Sequence, residues 1–343
     1  MTFPRWSDML TAAEVGGIGA LLAAARAADG VSPVSDDVSL TIRAGTAATP
    51  GRSHLLAADG DDENGVTGYA HLAHVAGGAW EADLVVHPDR RRRGVGAALV
   101  AALAQRVGQA SGDGTLDVWA HGDTPAAAAL AARAGFDRGR VLLQLRRPLV
   151  ADGDEDGHGE PGGGGPGGGG PGDGGLPEPV WPAGVTVRAF EPGRDERAWL
   201  ALNARAFASH PEQGRWTERD LLPREAEPWF DPAGFFLAER DGELIGFHWT
   251  KVHAEDPAPP DGDRRAAGPI GEVYVVGVDP ARAGGGLGRA LTLAGLRHLR
   301  DRGLTAVMLY TDEDNARAVR LYERLGFTRY AVDVQYRRRF AAR

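Results

Sequence analysis

One strand–loop–helix word occurs twice in this chain, and that repeat constrains its fold more than any other feature. Ala82–Leu103 reads ADLVVHPDRRRRGVGAALVAAL, and Tyr274–Gly295 reads YVVGVDPARAGGGLGRALTLAG. Each copy runs from an apolar strand through a proline and a loop into Gly-x-Gly and a helix. Pro88 precedes Gly94, and Pro280 precedes Gly286, by the same six positions. Downstream, ARAGF ends at Phe136 and ERLGF ends at Phe327. Gly94 to Gly135 spans 41 positions, and Gly286 to Gly326 spans 40. Landmarks at matching separations indicate a duplicated domain. A chain of 343 residues is long enough for two separate cores.

Between the copies lies a segment of different composition. Asp152–Glu160 is acidic and glycine-rich, and Pro161–Gly175 reads PGGGGPGGGGPGDGG. Such a stretch buries too little apolar surface to offset its ordering entropy. Residues 151–179 are therefore expected to be a flexible connector between domains at 1–150 and 180–343. On the N-terminal side, strands are expected at Val66–Val75, Glu81–Val86, Thr115–Ala120 and Val141–Arg146, with helices at Gly94–Val107 and Pro125–Arg133. On the C-terminal side, strands are expected at Val185–Phe190, Gly271–Val278, Ala306–Thr311 and Ala331–Arg337. Phe235–Glu239 and Leu244–Val252 read as a hairpin through Asp241-Gly242. Helices are expected at Glu196–Phe207, Glu218–Glu225, Gly288–Arg302 and Asn315–Leu325. This order points to the α/β class, with each domain a mixed twisted sheet flanked by helices.

Composition narrows the function. A net charge of −9 disfavours nucleic acid as a partner, because phosphate neutralisation needs a basic face. No apolar run reaches the ~20 residues that span a bilayer, and the N-terminal residues lack a signal-peptide pattern, so a cytoplasmic protein is expected. The absence of cysteine excludes disulfides, thiolate metal sites and a thiol-linked acyl-enzyme. The histidines, including His210, His248, His253 and His298, show no metal spacing and read as structural or solvated; no metal is expected. The glycine loops point to an anion. A glycine-rich turn feeding a helix exposes backbone N–H groups that no intrahelical carbonyl accepts, and the helix dipole adds to the attraction. Neither loop has the nucleotide-triphosphate pattern G-x-x-x-x-G-K-[ST] or a full dinucleotide fingerprint.

The combination is more specific than the loop. Arg91-Arg-Arg-Gly-Val-Gly96 after an apolar strand, with Ala134-Gly-Phe136 downstream, resembles the GCN5-related N-acetyltransferase (GNAT) superfamily. So do Gly285-Gly-Leu-Gly288, Asn315-Ala316 opening a helix, and Tyr322-Glu-Arg-Leu-Gly-Phe327 closing it. The resemblance implies that the loop holds the pyrophosphate of acetyl-CoA. It also implies that the preceding strand splays from its neighbour at a bulge and pairs with pantetheine. The cofactor set implied for the N-terminal copy is Leu84, Val85 and Val86 on the strand, then Arg92, Arg93, Gly94, Val95, Gly96 and Ala97. For the C-terminal copy it is Val276, Gly277 and Val278, then Ala283, Gly284, Gly285, Gly286, Leu287, Gly288 and Arg289, with Asn315, Ala316, Arg317, Ala318, Val319 and Arg320 opening the later helix.

Several rarer words resemble one family within that superfamily, the mycothiol synthases. They are DGVSPVSDDV (Asp29–Val38), HPEQGRWT (His210–Thr217), EPWFDPAGFFLA (Glu227–Ala238), GFHWTKVH (Gly246–His253) and GEVYVVGVDP (Gly271–Pro280). The resemblance implies acetyl transfer from acetyl-CoA to the cysteinyl amine of a cysteinyl-glucosaminyl-inositol. It implies Asp36, Glu212, Lys251, Glu272 and Tyr310 as acceptor contacts, with Asp36 standing where the family usually has Glu. The expected partners are these two small molecules, with no membrane or nucleic acid, and the expected state is a monomer. Alternative readings are a tandem GNAT acting on another amine, or a non-catalytic acyl-CoA sensor.

Amide formation from a thioester needs a neutral amine, a destination for its proton, and a proton for the departing thiolate. Glu272 is the candidate to take the amine proton, directly or through water, or to hold the ammonium. By period-2 alternation it shares a strand face with Tyr274 and Val276. Tyr322 is the candidate acid. The backbone N–H groups of Val276 and Val278 are candidates for the oxyanion. Without cysteine, direct transfer in a ternary complex is the simpler route. Asn315 could cap its helix, bind pantetheine, or do both. The N-terminal copy has Trp80, Thr124 and Ala131 where the C-terminal copy has Glu272, Asn315 and Tyr322. It is therefore expected to bind acetyl-CoA without catalysis, or to be structural. The C-terminal loop departs from the family pattern, with Ala283-Gly284-Gly285-Gly286 in place of basic residues.

Overall fold

The computed structural model describes residues 4–45, 51–58, 65–75, 78–110, 114–149, 175–210, 213–256 and 268–340. The N-terminal part contains β1 (Arg5–Ser7), α1 (Ala12–Asp29), α2 (Asp36–Ala44), β2 (Arg52–Ala58), β3 (Val66–His74), β4 (Ala79–Val86), α3 (Val95–Ala110), β5 (Thr115–Ala120), α4 (Pro125–Arg133) and β6 (Asp137–Pro148). The C-terminal part contains β7 (Thr186–Ala189), α5 (Glu196–Ala206), α6 (Glu218–Glu225), β8 (Phe235–Arg240), β9 (Glu243–Asp256), β10 (Gly268–Val278), α7 (Leu287–Asp301), β11 (Ala306–Asp312), α8 (Ala316–Arg324) and β12 (Thr328–Arg339).

Local chemistry explains most of these elements. The β8–β9 hairpin turns at Asp241 and Gly242, both at positive φ, as the two-residue loop requires. Asn315 caps α8, its side chain accepting from the Ala318 N–H at 3.2 Å, and Thr124 caps α4 in the same way. Helices α1 and α2 have no counterpart in the sequence reading. The Ala/Gly-rich α1 shows little apolar periodicity, but Thr11 and Glu14 form a reciprocal capping box at its start.

The twelve strands of the described residues join one sheet, in the order β1-β2-β3-β4-β5-β12-β6-β11-β10-β9-β8-β7. The two repeats exchange their last strands. β6 leaves the N-terminal repeat to pair with β11, Ala306 opposite Pro148 through Asp312 opposite Leu142. β12 returns to pair with β5, Val334 opposite Ala120 through Arg339 opposite Thr115. The exchanged strands also pair with each other, so no open edge remains where the two halves meet. The cores follow the exchange. Leu143 and Leu145 of β6 are buried with Leu293, Leu296 and Leu299 of α7, whereas Val334 and Tyr336 of β12 are buried with Leu99 and Leu103 of α3. Val141–Arg146 is thus a closing strand, but it closes the sheet of the other half.

The expected connector divides in two. Residues 150–174 lie outside the described residues. Its last few residues are held in place: Leu176 is 1% exposed within the α7 core, and its carbonyl accepts from Arg297 at 3.0 Å.

Candidate functional site

The site begins where two parallel strands part. β10 and β11 pair only from Gly271 opposite Val307 to Val273 opposite Leu309, and then diverge. On its other side β10 stays paired with β9, but the register slips between Val273 opposite Thr250 and Val275 opposite Trp249. This bulge puts an extra residue on β10 and reverses its side-chain alternation. Val273 packs with the α7 core, whereas Tyr274 and Val275 both pack with the aromatic cluster around Trp199 and Trp249. Val276 then packs towards Leu287 and Leu291 of α7. Glu272 and Tyr274 face one cavity, but Val276 does not share their face as simple alternation predicted. In the N-terminal repeat β4 has no register slip against β3, and its pairing with β5 continues two positions further by the repeat correspondence, to Asp83 opposite Trp119.

Beyond the divergence, β10 runs into the glycine loop. Gly284, Gly285 and Gly286 have φ of 134°, 59° and 84°, a succession of left-handed conformations that side chains resist. The loop is exposed and delivers the chain into α7, whose first N–H groups have no helical acceptor. Arg282 is turned to Glu243 at 2.8 Å, while Arg289 is exposed on the first turn. In the N-terminal repeat Gly94 has φ 89° and precedes α3. There Arg91 makes a bidentate pair with Asp29 at 2.7 and 2.6 Å. Arg92 and Arg93 are exposed beside the loop. Gly277, between the bulge and the loop, is required by packing: a Cβ there would lie 2.6 Å from the Phe247 ring and 3.1 Å from Ala206.

A cavity of about 1080 Å³ opens beside the divergence and is walled by both repeats. From the C-terminal repeat come Lys251, His253, Glu272, Tyr274 and Tyr310; from the N-terminal repeat come Ser35, Asp36, His121 and Gln144. Glu272 stands opposite Lys251 in the β9–β10 register. Lys251, 7% exposed at its side chain, is bonded to Asp36 and lies 4.8 Å over the Trp229 ring and 5.1 Å over Tyr274. Burial pushes the Asp36 carboxyl up, but Lys251, His253 and Arg224 outweigh it and hold it below its ordinary value. Tyr310 accepts from Gln144 Nε2 at 2.5 Å, and burial raises its phenol well above the usual range. The cavity thus gathers Asp36, Lys251, Glu272 and Tyr310; Glu212 lies outside the described residues.

Tyr322 approaches from the other side. It is 7% exposed, in edge contact with Phe327 and in one core with Val273 and Leu309. Val273 and Leu309 adjoin Glu272 and Tyr310 and point away from the cavity. Glu272 and Tyr322 therefore flank the diverging strands from opposite faces. Burial pushes the Tyr322 phenol up to about 12, so it is protonated and able to donate. Asn315 spends its side-chain oxygen on the α8 cap.

Two groups escaped the sequence reading. His253, read as structural or solvated, has Nε2 2.6 Å from Glu272 Oε2. A signal was present: His253 lies two residues after Lys251, which puts both on one strand face. The second group is a buried triad. His121 Nε2 lies 2.8 Å from Asp83, and its Nδ1 lies 3.1 Å from Asp333. Asp83 also accepts from the Ser35 N–H at 2.9 Å, beside Asp36. Burial pushes His121 down, but its bonds to the two carboxylates prevail and raise it to about 10. No local pattern links residues 212 positions apart. Among the described residues no cluster of three or more His, Asp or Glu could hold a metal ion, and no helix is long and apolar enough to cross a membrane.

Comparison with known proteins matches each repeat separately. A profile described as "Acetyltransferase (GNAT) family" matches residues 198–327, and one described as "Acetyltransferase (GNAT) domain" matches 50–138. Both matches end at or near the start of an exchanged strand. The mycothiol acetyltransferase of Parafrankia sp. (strain EAN1pec) is 59% identical over 98% of this chain and 99% of its own. That of Frankia alni is 56% identical, covering 98% and 95%. Among solved structures, a GCN5-related N-acetyltransferase from Sphaerobacter thermophilus aligns with a TM-score of 0.65 at 23% identity, covering 98% of this chain and 96% of that one. A tandem GNAT protein from the clavulanic acid biosynthesis pathway aligns at 0.64 and 21%, covering 98% and 99%. At such identities the structural matches speak for the fold alone.

Proposed function

Because this chain belongs to the mycothiol acetyltransferase family of tandem GNAT proteins, and is an acetyl-CoA-dependent N-acetyltransferase, we propose that its acceptor is the cysteinyl amine of 1D-myo-inositol 2-(L-cysteinylamino)-2-deoxy-α-D-glucopyranoside. The observation that carries the reading is the cavity between the repeats. Its size suits a disaccharide-like acceptor, and it joins Asp36, Lys251, Glu272 and Tyr310 beside the diverging strands. A polyhydroxylated acceptor needs several fixed polar anchors, and these side chains together with Gln144 provide them. Both repeats wall the cavity within one chain, which supports a monomer as the working unit.

The chemistry follows from the placement. Acetyl-CoA lies with its pyrophosphate on the Ala283–Arg289 loop and its pantetheine along Val276–Val278, where β11 has left the edge of β10 free. Glu272 draws the acceptor ammonium into the cavity by its negative charge and takes the first proton, directly or through water. The freed amine attacks the thioester carbonyl, and the backbone N–H groups of Val276 and Val278 receive the oxyanion. As the tetrahedral adduct collapses, the nitrogen loses its second proton and the thiolate takes one from Tyr322. One proton is released overall for each amide made. The N-terminal repeat supplies walls and an anion site at Arg92–Ala97 but no chemistry, since Trp80 and Ala131 stand where Glu272 and Tyr322 do. Mixing the protein with acetyl-CoA and this acceptor should release free CoA at a rate that depends on both. No release with this acceptor, alongside release with another amine, would refute the assignment.

A further inference from the structure

The contact between His253 and Glu272 bears on where the amine proton goes. Glu272 is 6% exposed, and its Oε2 lies 2.6 Å from His253 Nε2. The two residues sit diagonally across β9 and β10, Glu272 opposite Lys251 and His253 opposite Ile270. Lys251 does not compete for Glu272, since it is committed to Asp36. Glu272 holds Nε2 of the imidazole. Nδ1 has no hydrogen bond among the described residues and is not enclosed, and the ring lines the cavity. A carboxylate on one ring nitrogen selects the tautomer protonated there, leaves the other nitrogen basic, and stabilises the imidazolium that forms when that nitrogen takes a proton.

We propose that His253 is the general base of the transfer and that Glu272 acts through it. In the resting state Nε2–H donates to Glu272 Oε2, and Nδ1 presents its lone pair to the cavity. Nδ1 removes one proton from the acceptor ammonium, giving the neutral amine and an imidazolium paired with the Glu272 carboxylate. The amine nitrogen forms its bond to the acetyl carbon, the carbon–sulfur bond breaks, the thiolate takes the Tyr322 proton, and the second proton of the nitrogen restores the Tyr322 hydroxyl. The imidazolium returns its Nδ1 proton to solvent through the open cavity. This rests on the acceptor being an amine bound in the cavity, and it replaces Glu272 with His253 only as the atom that receives the proton.

The test uses the full-length protein. His253→Gln keeps an amide N–H for Glu272 but has no basic nitrogen. It should lose about 100-fold in kcat, keep the KM for acetyl-CoA within about twofold, and lose the acidic limb of the pH profile. Added imidazole should restore turnover in His253→Ala. A His253→Gln variant that keeps its kcat and acidic limb overturns the proposal, as does a loss that imidazole does not relieve. A second measurement needs no variant. Ring 15N spectra of the wild-type protein near neutral pH should show neutral His253 protonated at Nε2; protonation at Nδ1 instead overturns the proposal. If the wild type releases no CoA with the cysteinyl acceptor, the acceptor assignment fails, while the ring tautomer still decides the role of His253.

Discussion

Tyr322 separates two roles: its ring packs in the core, whereas the proposed mechanism uses only its hydroxyl. Its ring is packed with Val273, Leu309 and Phe327, yet its hydroxyl makes no hydrogen bond to any described residue. Tyr322→Phe keeps the packed volume and removes only that oxygen. It should change unfolding free energy by less than about 1 kcal/mol in urea titrations, while lowering kcat by about 100-fold at pH 7. A variant that unfolds early would make Tyr322 a core residue and nothing more. At this scale the family resemblance named Asp36, Lys251, Glu272 and Tyr310 as acceptor contacts, and all four line one cavity in the structure. Sequence reading passed over His253, although alternation from Lys251 reaches it, because a lone histidine without metal spacing carries little signal.

Among the elements, β10 is the most constrained. Its bulge turns Val276 away from the face of Glu272, and its close approach to β9 leaves no room beyond a hydrogen at Gly277. Gly277→Ala should push against Phe247 and destabilise the fold by about 1–3 kcal/mol, measured as a lower urea midpoint, with a raised KM for acetyl-CoA. An unchanged midpoint would show that the ring moves aside without cost. Element types were largely legible from periodicity and from turn residues such as Asp241-Gly242. The bulge was not legible from periodicity, since one extra residue in a strand leaves the local composition unchanged. The same limit explains α1, where alanines on every face hide the buried stripe of Ile18, Leu21 and Ala25.

Across the whole molecule the strand exchange makes the repeats interdependent. A fragment ending at 149 lacks β12, and one starting at 175 lacks β6; each would leave a strand edge and part of a core uncovered. Each fragment expressed alone should aggregate or fail to melt cooperatively, whereas the two co-expressed should associate and recover acetyl transfer. Two cooperative, monomeric fragments would contradict the exchange. The Asp83–His121–Asp333 triad ties β4 and β12 to the turn after β5 and sets a pH dependence. Because the folded state holds the His121 proton up to about 10, against 6.5 ordinarily, it binds more protons than the unfolded chain between those values. The triad's contribution is full below pH 6.5 and is lost as pH rises through about 10. The urea midpoint should fall across that window, and His121→Gln should flatten the fall; an identical slope in the variant would exclude the triad as its source.

The amino-acid sequence by itself determined the duplication, the class of the fold, the two glycine loops and the asymmetry between the copies. These are properties of spacing and residue type, which persist in any arrangement of the chain. Only the tertiary structure decided which repeat owns which closing strand, where β10 slips its register, and that His253 bonds Glu272. The first two depend on hydrogen bonds between strands whose edges are chemically equivalent, since a backbone edge accepts either of two similar strands and local composition does not choose between them; the third is a side-chain contact that follows from the register so set.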